Sequence, residues 1–258
     1  MSIPLALRVT EAEARIYRKT WHGSVFSSFL TPVLYLLAMG VGLGSLVDAN
    51  IPEGLDGVSY LTFLAPGLLV ASAMQTGATE SSWKLMGGIE SQGTWKARLA
   101  SPIRPLDLMI GYMIWSAIRV FMVSAIFAVI LIVFRIAPVL QSFATIVPAM
   151  FVGVGMAAVT AAVTVRLKGY AGIPMFFRFV VIPMFLFSGV FFPITNLPGW
   201  LQPVAVATPI YHGVEIARSI VVGTTPAVAW WISFLYMGSW IVAGTYLSID
   251  PLRKRLTP

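Results

Sequence analysis

The chain has 258 residues, of which 58% are hydrophobic and only 10% charged, with 17 basic against 10 acidic side chains and a mean hydropathy of +0.86. Several apolar runs exceed the roughly 18 residues of a spanning helix, which excludes a soluble globular domain and makes this an integral membrane protein. The runs are continuous rather than alternating, which disfavours a β-barrel; backbone groups inside lipid must all be paired, so the fold class expected is all-α.

The first 23 residues carry Arg8, Glu11, Arg15, Arg18, Lys19 and His22 on one helical arc and Leu5, Val9, Ala12 and Ile16 on the adjoining one. This predicts an amphipathic helix lying in the membrane interface, with Trp21 near the headgroups. The charged stretch is too long for a signal peptide and no convincing cleavage site follows the apolar run, so the segment is expected to stay attached.

Six spans follow in chain order, at about 25–47, 60–82, 106–134, 143–165, 173–192 and 227–249. Gly40 and Gly44 in the first have the G-x-x-x-G spacing that allows close helix packing. A charged connector, 83–105, separates the second and third spans, and its core runs from Glu90 to Pro105 as ESQGTWKARLASPIRP. The stretch 193–223 is apolar but broken by Pro193, Pro198, Pro203 and Pro209, which suits two short helices, about 197–206 and 211–222, that enter the outer leaflet and return. No repeat or linker divides the chain, so a single membrane domain over residues 1–258 is expected.

Basic residues orient this layout. Arg8 to Lys19, the 84–104 connector, Arg166 with Lys168, and Arg253 to Arg255 all fall on one side of six spans. The opposite loops hold Arg135 and Arg218, with Asp48, Glu53 and Asp56 in the first of them. The positive-inside bias then places both termini in the cytoplasm. The net charge of +7 and pI of about 9.9 reflect topology and contact with anionic membrane lipids rather than nucleic acid.

Catalytic patterns are missing. There is no phosphate-binding G-x-x-x-x-G-K-[ST] and no cysteine, and the two histidines, His22 and His212, fall in opposite compartments. No catalytic residue, metal site or bound cofactor is expected. Arg119 lies near the middle of the third span, where an unpaired arginine costs about 2.5–3.5 kcal/mol on insertion scales. Gln75 and Glu80 of the second span are its candidate partners, either in an ion pair that fixes helix packing or along a substrate path. In the outer segment Glu215 and Arg218 have i, i+3 spacing, and with Trp200, Tyr211 and His212 they form a candidate outer gate or lid.

The six-span layout, the connector Trp95-Lys96-Ala97-Arg98-Leu99-Ala100-Ser101-Pro102-Ile103-Arg104-Pro105-Leu106-Asp107, and the outer motifs Phe191-Phe192-Pro193, Leu197-Pro198-Gly199-Trp200 and Pro209-Ile210-Tyr211-His212 resemble the type 2 permeases of ABC exporters. Within these the chain is most similar to the bacterial group that includes the nodulation lipo-oligosaccharide and daunorubicin-type drug exporter permeases. The resemblance covers nearly the whole chain. It implies a bacterial inner-membrane permease that works with a second copy or a related permease and with a separate P-loop ATPase binding ATP and Mg. It also implies that the connector is a coupling helix, with Glu90, Trp95, Lys96, Arg98 and Leu99 contacting the ATPase, and with Pro102 and Arg104 where that helix ends and the third span begins. The cargo it implies is amphipathic: a lipid, glycolipid or drug. A membrane scaffold or immunity protein would keep the same spans and connector. A membrane-embedded lipid transferase would need clustered carboxylates at one membrane face, and the ten acidic residues are scattered over both.

Overall fold

The computed structural model describes residues 4–50, 58–91 and 93–256. Glu53 and Asp56 lie outside the described residues, as do the side chains of Lys96 and Leu99. Every regular element among the described residues longer than a single bridge is helical. In chain order these are α1 (Leu5–Tyr17), α2 (Trp21–Tyr35), α3 (Gly44–Asn50), α4 (Tyr60–Thr79), α5 (Thr94–Leu99), α6 (Pro105–Val133), α7 (Val139–Ala144), α8 (Ile146–Thr164), α9 (Gly172–Phe176), α10 (Ile182–Phe187), α11 (Gln202–Val206), α12 (Pro209–Val222) and α13 (Trp230–Leu256).

Wider π turns join several of these end to end. Leu36–Leu43 links α2 to α3, and Phe177–Val181 links α9 to α10. The π turns Glu80–Lys84 and Gly87–Ser91 carry the α4 helix about two turns past the expected end of the second span. Among the described residues, five helical stretches are long and apolar enough to cross a membrane: Pro32–Asn50, Tyr60–Glu90, Pro105–Val133, Val139–Thr164 and Trp230–Leu256. The expected span 173–192 is a shorter apolar helix, Gly172–Phe187. Its 16 residues reach about 24 Å at 1.5 Å per residue, short of the roughly 30 Å hydrocarbon core. It stops where Ser188 leaves helical geometry and Gly189 takes φ +81°, a left-handed conformation that suits glycine.

The stretch around α4 is the centre of the bundle, and small residues let its neighbours close on it. A Cβ added at Gly77 would stand 2.0 Å from the Gly153 carbonyl oxygen of α8, and one at Gly153 would stand 2.8 Å from the Ala73 carbonyl oxygen of α4. On the far side of α8, a Cβ at Gly244 of α13 would fall 2.6 Å from the backbone of Ala158 and Val159. Such backbone approach is how membrane helices gain van der Waals contact where lipid offers no hydrophobic drive. Gly40 follows the same logic, because its added Cβ would collide with Leu61 at 2.3 Å.

Two cores result. The larger joins Leu64, Leu68 and Met74 of α4 to Phe127 of α6, Val152 of α8 and Val214 of α12. The smaller lies at the end of the bundle that carries α5 and joins Val9, Leu85, Trp95, Tyr112, Val165 and Leu252.

Candidate functional site

The connector begins with a left-handed turn at Gly93, φ +58°, from which the six-residue helix α5 starts. Its exit is set by Pro105 at the first position of α6, where a missing N–H costs nothing. The Arg104 backbone N–H donates to Asp107 Oδ2 at 3.2 Å, and Pro102 and Arg104 are both exposed.

The side chains of this helix divide between its own bundle and the surface. Trp95 is 2% exposed, with its ring 5.3 Å from that of Tyr112. A Cβ on Gly88 would press into the same indole at 2.5 Å. An indole enclosed in this way packs the connector onto its own bundle. Arg98 is also turned inward: its Nη1 donates to Glu13 Oε1 of α1 at 2.8 Å, with only 17% and 15% of the two side chains exposed. Glu90 belongs to the extended α4 helix and pairs with Arg255 at the end of α13. Among the described side chains, Ala97, Ala100, Ser101, Pro102 and Arg104 are left on the surface of the tip.

The amphipathic helix α1 is the third wall. Thr10 donates from Oγ1 to the Gly111 carbonyl oxygen of α6 at 2.8 Å, and a Cβ on Gly111 would strike the Ala6 carbonyl oxygen at 2.2 Å. Thr10, Glu13 and Tyr17 therefore face the bundle, while Arg8, Glu11, Arg15, Arg18 and Lys19 are exposed. Ile16, expected on the apolar arc, is 54% exposed, because the inward face is turned toward the polar partners of Thr10 and Glu13.

Above α5 a buried charge cluster joins three helices. Glu80, 4% exposed, accepts from Arg119 Nε at 3.0 Å and from Lys84 Nζ at 2.6 and 2.7 Å. The Arg119 guanidinium lies 4.2 Å from the centre of the Tyr17 ring, and the Tyr112 hydroxyl donates to the Glu80 carbonyl oxygen at 2.6 Å. Gln75 is not in this cluster: it is exposed on α4. Glu13, Tyr17 and Tyr112 were not singled out from sequence, and Arg255 was read only as part of a basic cluster that orients the chain. Tyr112, Trp115, Ser116 and Arg119 recur at i, i+3, i+4 and i+7, so a polar and aromatic stripe on α6 was there to be read.

At the opposite end α12 occupies Pro209–Val222, with the Tyr211 N–H capped by the Thr208 hydroxyl at 3.4 Å. The first of the two expected outer helices, about 197–206, is reduced to α11, whose first turn holds Pro203; a single 3-10 turn, Ile194–Asn196, precedes it. Arg218, 6% exposed, donates to the carbonyl oxygens of Gly189 (2.7 Å) and Phe63 (3.3 Å), stacks 3.6 Å from the Phe63 ring centre and pairs with Glu215 at 3.4 Å. His212 Nδ1 is 3.0 Å from the Ser233 hydroxyl of α13, and burial holds this imidazole below its ordinary pKa against a backbone hydrogen bond at Val206. Trp200 is 74% exposed. Among the described residues, no three histidine, aspartate or glutamate side chains are grouped closely enough to hold a metal ion.

The geometry therefore provides a short exposed tip, fastened at Trp95 and Arg98, on one end of a helical membrane bundle. The family model for ABC-2 type transporters matches residues 6–222. Nodulation protein J of Rhizobium meliloti (strain 1021) is 26% identical over 94% of this chain and 90% of its own length. The protein of the same name from Rhizobium leguminosarum bv. viciae is 28% identical over 93% and 90%, and that of Azorhizobium caulinodans is 28% identical over 83% and 82%. With the match running from α1 through α12, the chain belongs to the ABC-2 type transporter family and is a membrane-embedded ABC transporter permease.

Proposed function

We propose that this permease is the transmembrane subunit of an ATP-driven exporter in the bacterial inner membrane, powered by a separate P-loop ATPase that binds ATP and Mg. Both termini and the α5 tip face the cytoplasm, and a second copy or a related permease completes the pore. The observation that carries this reading is the fastening of α5. Trp95 is buried and Arg98 is paired with Glu13, so a push on the exposed 97–104 tip is delivered to α1 and α6 rather than absorbed by a loose loop. The exposed Arg104 extends the contact surface toward the ATPase, and Lys96 is a second basic residue of the same connector. Nucleotide shifts the bundle between arrangements only if the ATPase grips the tip differently in its two states. The cargo is an amphipathic, lipid-like or glycolipid molecule or a drug, in keeping with an apolar bundle and with relatives named for nodulation.

The test is copurification of the full chain from its own bacterium, followed by efflux of a labelled amphipathic dye. A P-loop ATPase is expected in the complex, and Lys96→Glu with Arg104→Glu should reduce both its recovery and efflux. Recovery of the permease without any ATPase, or unchanged assembly and efflux in the double variant, would sink the reading.

A further inference from the structure

The C-terminal halves of α8 and α13 run side by side toward the connector end: Gly155 lies against Trp240, Gly244 against Ala158, and Arg255 Nη1 donates to the carbonyl oxygens of Thr164 and Val165 at 3.3 Å. Between them runs an open groove of ≈ 420 Å³ with almost no polar lining, walled by Val159, Ala162, Val163, Trp240, Ala243 and Leu247. It extends about two helical turns, or about 10 Å, along the bundle. At its end stands Arg166, which also lines a second depression holding Lys168, Lys254, Arg255 and Glu90. An apolar channel thus opens directly onto a basic cup.

The cup's charge survives its own neutralisation. Four cations face one carboxylate, Glu90, and the C-terminal ends of two helices, each equivalent to roughly half a negative charge, which leaves a balance of about +2. Arg255 is engaged with Glu90 and the α8 end, and Arg166 donates to the Ala162 carbonyl oxygen. Lys168 and Lys254 are exposed at the rim. An apolar groove within a membrane bundle, ending in excess positive charge, matches a molecule with a hydrocarbon chain and an anionic head.

We propose that the α8–α13 groove is a binding site for an anionic glycerophospholipid, its acyl chain along Trp240 and Ala243 and its phosphate between Arg166, Lys168 and Lys254. The proposal does not depend on which subunit hydrolyses ATP. The lipid would fill the seam between α8 and α13 and tie its two basic ends together.

Purified full-length protein in neutral detergent is titrated with phosphatidylglycerol carrying dibrominated acyl chains, with brominated phosphatidylcholine and inorganic phosphate as comparisons. Bromine quenches tryptophan at close range, so the site is read as the part of the quenching that disappears in Trp240→Phe. Phosphatidylglycerol is expected to produce that component at lower concentration than phosphatidylcholine. Lys168→Gln with Lys254→Gln should weaken it by about 25-fold, taking about 1 kcal/mol per cation. Native mass spectrometry supplies a second reading: the wild type should retain phosphatidylglycerol, and Ala243→Phe, which fills the groove without altering the cup, should lose it. Equal binding of both lipids with no effect of the lysine substitutions would overturn the proposal. So would displacement by millimolar inorganic phosphate, which would mark a free-anion site, or the absence of any Trp240 component.

Discussion

Arg119 Nε and Glu80 Oε1 meet at 3.0 Å, each side chain about 5% exposed, and so bind α6 to the helix that continues α4. Lys84 holds the same carboxylate from the wetter side, with 51% of its side chain exposed. Breaking a buried pair from one side strands a charge, which costs more than removing both. Glu80→Gln, which takes the carboxylate from buried Arg119, should lower stability by about 3–5 kcal/mol; Arg119→Met, which leaves Glu80 held by Lys84, should cost less, and the double variant should recover part of the Glu80→Gln loss. Thermal unfolding of the four proteins in one detergent checks the cycle; simple additivity would show that the two groups act independently.

Gly77 should tolerate no side chain. A Cβ at 2.0 Å from the Gly153 carbonyl oxygen must push α4 and α8 apart, and Gly77→Ala is expected to cost about 1–3 kcal/mol, with Gly77→Leu worse. Gly23 is the contrast, since it sits in α2 with nothing within 4 Å of an added Cβ. Gly23→Ala should be neutral or should stabilise by about 0.5–1 kcal/mol through helix propensity. Melting temperatures of both alanine variants decide the matter.

Trp95 and Arg98 should separate anchoring from surface recognition. Trp95→Ala removes a buried indole at a cost of about 3–5 kcal/mol, whereas Trp95→Phe keeps most of the packing. Arg98→Ala breaks a partly buried pair with Glu13 and should cost less, on the order of 1–3 kcal/mol. Hydrogen exchange over 93–104 is expected to rise in Trp95→Ala and Arg98→Ala but stay near wild type in Arg104→Ala, whose side chain is exposed.

His212 should make the α12–α13 contact sensitive to acid. Its pKa is lowered in the folded protein from the ordinary 6.5, so the unfolded chain takes up the proton first as pH falls. The stability present above pH 6.5 is therefore lost progressively below it, until the folded-state pKa is passed. His212→Gln should flatten this slope between pH 7 and pH 5.5 in a melting series; an unchanged slope would assign the acid sensitivity elsewhere.

Much of the frame was legible in the residues. Long apolar runs select spanning helices because lipid leaves the backbone no other partner. Basic clusters mark one set of loops, and prolines at 102, 105 and 209 mark where helices end and begin. The Glu215–Arg218 spacing also anticipated an ion pair that the structure contains. Less legible were the facing directions. The π turns at Glu80–Lys84 and Gly87–Ser91 shift the phase of α4, so a regular helical projection extended through them misplaces Glu90. A partner 85 residues away, such as Glu13 for Arg98, has no local signal at all.

The connector shows where the division falls. From sequence alone it is a short basic segment between two spans, placed at one membrane face by its charge and delimited by glycine and proline. Which of its side chains hold the bundle and which remain outside is decided only when α1, α4, α6 and α13 close around it. Burial of an indole and pairing of a guanidinium depend on surfaces brought together from distant parts of the chain, and helical periodicity within one segment carries no record of them.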